Sequence, residues 1–191
     1  MKSAAQDAAL IDIGITASGW IRTEEIHFSP EIRAICAGNT CRNYEKTWAC
    51  PPATGTFDQC REQILNYPAA LVFTSVYPLE DSFDYEGMQK GHRAFKQVCD
   101  RLYQLLEGDF LLLSNEGCIR CQSCTYPEKP CRFPQMLFPA LEGYGILVNR
   151  LAASAGIPYI AGPNTVTYFG LLCCSDPSGI FRPNAKKQAE F

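Results

Sequence analysis

With 191 residues, 47% of them hydrophobic and 12% aromatic, the chain is long enough to build one sizeable core, and a single domain is expected. Seventeen basic residues stand against twenty acidic ones with no long run of either sign, which excludes the electrostatic footprint that grips nucleic acid or an anionic membrane. The start, "MKSAAQDAALIDIGITASGW", lacks a secretory pattern and no apolar run approaches bilayer length, so the chain reads as soluble, unexported and cytoplasmic.

In chain order, His27 alternates in a predicted strand. Ser29 caps a short helix with Pro30 in its first position, running into Cys36. A loop, "CAGNTCRNYEKTWACPPATG", follows, and then "TFDQCREQILNY", where Thr56 and Gln59 have capping-box spacing ahead of a helical apolar pattern. "AALVFTSVYP" is a buried strand by its branched and aromatic content. Met88, Phe95, Val98, Cys99, Leu102, Leu105 and Leu106 mark a long amphipathic helix from Ser82 to Glu107, closed by Gly108. "DFLLLS" predicts a second buried strand, followed by a cysteine-rich loop, a helix from Leu137 to Ala155, and strands "IPYIAG" and "TVTYFGLLCC". The end, "RPNAKKQAEF" and what precedes it, reads as a loose tail. Alternating strands and helices predict an α/β domain: a mixed β-sheet flanked by helices, with cysteine loops at about 36–55 and 117–134.

Eleven cysteines, an odd number, with an ample apolar core and no export signal, favour metal over a disulfide framework. The second loop, "GCIRCQSCTYPEKPCRFP", holds Cys118, Cys121 and Cys124 at a strict interval of three, then Cys131. Two-residue spacers let a backbone curl with its sulfurs pointing at one centre, the way chains hold iron-sulfur cubes. Zinc more often takes two separated C-x-x-C knuckles; it is the second choice, with disulfides or free thiols behind it. Cys36, Cys41 and Cys50 of the first loop are spaced C-x4-C-x8-C, and Pro51 and Pro52 follow Cys50 as a proline follows the last cysteine of a bacterial ferredoxin run. They read as metal ligands shielded by Trp48 and Tyr44; the alternative is ordinary reduced thiols. Cys60, Cys99, Cys173 and Cys174 fall on apolar faces and are expected to pack, although Cys60 lies close to the first loop. His27 and His92 are expected to be solvated or satisfied, and no Ser-His-Asp set, HExxH or phosphate loop appears.

"CAGNTCRNYEKTWACPP" followed by "CIRCQSCTYPEKPCRFP", with "VTYFGL" near the end, resembles the predicted metal-binding proteins of domain-of-unknown-function family 2284, found chiefly in anaerobic bacteria and archaea. The resemblance implies a metal, foremost iron-sulfur, held by Cys36, Cys41, Cys50, Cys118, Cys121, Cys124 and Cys131; it implies no particular reaction.

Seven candidate ligands leave two assignments open. Either Cys118, Cys121, Cys124 and Cys131 close one [4Fe-4S] cube and leave three thiols for a second centre, or Cys131 completes the first loop's site, as in two-cluster ferredoxins. The expected function is redox: one or two [4Fe-4S] clusters passing electrons to a partner protein, with Arg42, Arg120, Lys129 and Arg132 offsetting cluster charge. The alternatives are an enzyme using an open iron for sulfur removal or dehydration, and a structural zinc protein.

Overall fold

The computed structural model describes residues 4–182. Strands β1 (Ala17–Arg22), β2 (Ala69–Pro78), β3 (Phe110–Leu113) and β4 (Thr165–Cys174) form a four-stranded sheet in the order β1-β2-β4-β3. The α/β class stands, but the sheet is antiparallel at every strand pair rather than mixed. The reason is topological. The helix between β2 and β3 does return the chain so that β3 runs parallel to β2, but β4 enters between them and pairs antiparallel with both. β2 and β4 pair along their full length, from Ala69↔Cys174 to Pro78↔Thr165.

Alternation along these central strands builds two cores, one per face. Leu71, Phe73 and Leu172 face α1 (Ala4–Asp12) and α4 (Tyr85–Leu105), burying Leu10, Phe95, Val98 and Leu102. Ala70, Val72 and Leu171 face α3 (Phe57–Leu65) and α5 (Val148–Ser154), burying Cys60, Ile64, Leu151 and Ala152. Each fully buried leucine, valine or phenylalanine contributes roughly 1.5–3 kcal/mol against its exposed state. The caps form as read: Ser29 Oγ accepts from Glu31 N at 3.2 Å at the start of α2 (Pro30–Ala37). At α3, Thr56 Oγ1 accepts from Gln59 N at 3.2 Å while Gln59 Oε1 accepts from Thr56 N at 2.8 Å.

Four expectations are corrected. The strand placed at His27 lies earlier, at β1; beyond it, only Phe28 bridges, to Ile146. The helix from Leu137 to Ala155 shrinks to α5, because Pro139, Gly143 and a left-handed Gly145 (φ 74°) break it. Its apolar residues still divide usefully: Phe138 enters the first core, and Leu141, Tyr144 and Ile146 the second. "IPYIAG" forms no strand; Pro158 donates no hydrogen bond, and Tyr159 and Ile160 are exposed. Finally, residues 183–191 of the expected tail lie outside the described residues, but its first residues are packed. Ile180 is buried, Phe181 bridges Leu106, and Arg182 N donates to Leu105 O at 2.9 Å.

Candidate metal centre

A polar stripe on α4 sets where the cysteine loops sit. His92, Lys96 and Asp100 recur every four residues and so share one helix face. Each meets the chain leaving β3. His92 Nδ1 lies 3.7 Å from Glu116 Oε2, Lys96 Nζ donates to Ser114 Oγ at 3.1 Å and to Asn115 O, and Asp100 pairs with Arg120. The second loop is closed at its base, where Ser114 and Ala140 form a parallel bridge, with Ser114 N donating to Pro139 O at 2.8 Å. Ala140 N also donates to Ala49 O at 3.1 Å, so the two cysteine loops share one anchor. They touch again at Gly117, where a Cβ would stand 2.5 Å from the Asn43 side chain; only glycine admits that approach. Left-handed Asn39, Arg42 and Glu45 curl the first loop back on itself, and Asn39 Oδ1 accepts from Tyr44 N at 3.1 Å.

Cys118, Cys121, Cys124 and Cys131, all partly exposed, line one small cavity of about 20 Å³. Arg120 and Arg132 line it too. Arg132 Nη1 donates to Ser123 O at 2.8 Å, whereas the buried Nε–H of Arg120 has no acceptor. Trp48 closes this cavity rather than that of its own loop: its indole N–H donates to Lys129 O at 3.1 Å and its ring meets Tyr126 edge-on at 4.9 Å. The assignment of Trp48 as a shield for the first-loop thiols is thus corrected; Tyr44 does line their cavity.

Cys36, Cys41 and Cys50 line a separate and roomier cavity of about 270 Å³. They sit close enough to act on one another: burial, then the Glu142 and Cys41 charges, push the Cys36 thiol up, and burial pushes Cys50 up to about 11. Lys96, buried on α4, lies near both sets: burial lowers its ammonium, and Cys99, Cys118, Glu116 and Cys50 oppose that shift only in part.

The fit of a metal to these cavities rests on donor chemistry. Four half-exposed thiols around one cavity, with an arginine N–H lacking an acceptor beside them, suit an anionic thiolate-ligated group. At about 20 Å³ the cavity has room for roughly one water. Among the described residues, no three Cys, His, Asp or Glu side chains stand together as a ready site for a single ion. Cys60, Cys99, Cys173 and Cys174 are fully buried core thiols; Cys60 donates to Thr54 O at 3.2 Å and accepts from Arg33, and lines neither cavity.

Sequence reasoning missed Asn115, Glu116, Glu142 and Lys96. Glu116 and Glu142 line the three-thiol cavity and also a second, polar cavity beyond it. Burial, with the Glu116 charge nearby, pushes the Glu142 carboxyl up. His92, expected to be solvated or satisfied, is largely covered beside Glu116: its side chain is 14% exposed, and burial with the Lys96 and Arg93 charges pushes it down to about 4. The i, i+4 spacing of His92, Lys96 and Asp100 was the signal for one of these groups; the carboxylates had none, being far apart in sequence.

A family described as "Predicted metal-binding protein (DUF2284)" matches residues 19–173. No curated protein and no solved structure matches the chain.

Proposed function

The chain belongs to the DUF2284 family of predicted metal-binding proteins, and on that premise we propose that its two thiol-lined cavities hold iron-sulfur clusters that move single electrons to a partner protein. The observation that carries this reading is the gathering of Cys118, Cys121, Cys124 and Cys131 around one cavity, beside the unpaired Nε–H of Arg120. Four thiolates supply the ligand set of a [4Fe-4S] cube, and the group, when bound, supplies one-electron chemistry. The chain's own residues do the rest. Arg120, whose charge and unpaired Nε–H stand beside these thiols, would raise the potential of such a group. Trp48, Phe133 and Met136 limit water. Cys131 lining the same cavity favours the closed four-thiol assignment over its exchange to the first loop. A zinc staple fits less well, because three thiols on one knuckle approach from one side.

A second reading is favoured by one observation: the three-thiol cavity offers three thiols, not four, and shares Glu116 and Glu142 with a further cavity. A metal held by three protein ligands keeps a position for substrate, so an enzyme using that centre is the alternative.

The test is visible absorption and electron paramagnetic resonance of anaerobically purified protein, before and after reduction. A brown sample with a broad visible band and a signal appearing on reduction is expected; a colourless, silent sample contradicts the redox reading.

A further inference from the structure

A second cavity lies behind Glu116 and Glu142. It measures about 330 Å³, inside the range of roughly 300–1,000 Å³ usual for small-molecule sites. One wall is apolar, from Ile146, Val148 and Phe169, and the Tyr159 ring stacks on Phe169 at 5.8 Å and 22°. The other end is polar. Asn115, only 5% exposed, lines it; its Oδ1 accepts from Ser114 Oγ at 3.4 Å, but its Nδ2 has no hydrogen-bond partner. Leaving a buried amide donor unpaired is unfavourable, and an acceptor supplied by a ligand removes that cost. The charge of the site narrows the choice. Two carboxyl side chains, Glu116 and Glu142, stand on the wall shared with the three-thiol cavity, so an anion is disfavoured. A cation would meet those carboxyls and leave the Asn115 donor unpaired. A neutral molecule with an acceptor oxygen satisfies both constraints.

We propose that this cavity binds a small uncharged organic molecule, its carbonyl or amide oxygen accepting from Asn115 Nδ2 and its apolar body lying on Val148 and Phe169, and that it is the substrate pocket of the three-thiol cavity. The substrate role rests on the open-centre reading above; binding itself does not.

Butyramide, butyrate and butylamine, equal in carbon number and different in charge, are the probes. Saturation-transfer NMR on the full chain should show saturable butyramide binding, with butyrate and butylamine at least tenfold weaker. Asn115→Leu removes the donor, and Val148→Phe fills the cavity from a half-buried position; each should weaken butyramide at least tenfold. Equal binding of all three probes, no saturable binding, or full retention in a folded Val148→Phe variant overturns the pocket. A variant with Cys36, Cys41 and Cys50 all replaced by serine separates this inference from the cluster reading. Butyramide should still bind it. Wild-type protein that lacks iron yet binds butyramide contradicts the clusters and supports the pocket, while protein that holds iron and ignores butyramide does the reverse.

Discussion

Cys121 and Cys99 differ in what lies around the sulfur. Cys121 opens on a cavity with three other thiols, while Cys99 is fully buried, its Sγ 3.4 Å from Ser114 Oγ. Cys121→Ser should therefore remove about half the iron and its share of the visible band, since one of two clusters loses a ligand. Cys99→Ser should leave metal content unchanged; iron analysis of the two variants decides, and the opposite pattern contradicts the division of ligands from core thiols. His92 carries a pH prediction. Its folded value, about 4, lies below the ordinary 6.5, so between these the unfolded chain binds a proton that the folded chain does not. The stability it contributes is present above pH 6.5 and is lost as pH falls toward 4. The charged groups facing it are Glu116, Lys96 and Arg93. Denaturant titrations should show this loss in the wild type and a flatter profile for His92→Gln; identical profiles contradict it. The grouping of the candidate ligand cysteines was legible because their spacing is local. Arg120 was legible as a charge beside them, but its pairing with Asp100 and its unpaired Nε–H depend on a contact with α4 that no neighbouring residue announces.

Helices and strands that obey one strong local rule were legible: α3 by its capping box, α4 by its apolar stripe, β2 and β4 by branched and aromatic runs. The segment 137–147 misled because its apolar residues do recur at helical spacing, but they are shared between two cores by a glycine-broken turn. α1 and β1 went unread, since each has only two large apolar residues, Leu10 and Ile11 in α1 and Trp20 and Ile21 in β1, and takes its burial from the rest of the fold. The central pair β2 and β4 depends on one small residue. Gly170 pairs with Phe73, and a Cβ there would come within 2.2 Å of the phenylalanine ring. Gly170→Ala should cost about 1–3 kcal/mol, as overpacking does, read as a lowered urea midpoint with the m-value unchanged. An unshifted midpoint contradicts the packing described.

For the molecule as a whole, the fold brings two loops that are distant in sequence to one anchor at Ala140 and one close approach at Gly117, with Lys96 of α4 near thiols of both. The loops were legible as two cysteine clusters; their separation into a four-thiol and a three-thiol cavity was left open, because Cys131 fits either assignment by spacing alone. No helix among the described residues is long and apolar enough to cross a membrane. If each cavity holds its own cluster, as proposed, a count of iron and acid-labile sulfide per chain in anaerobically purified protein shows two clusters. About eight of each are expected in the wild type and about four when Cys118, Cys121, Cys124 and Cys131 are all serine. Stoichiometric zinc without sulfide, or loss of all iron from that variant, contradicts it.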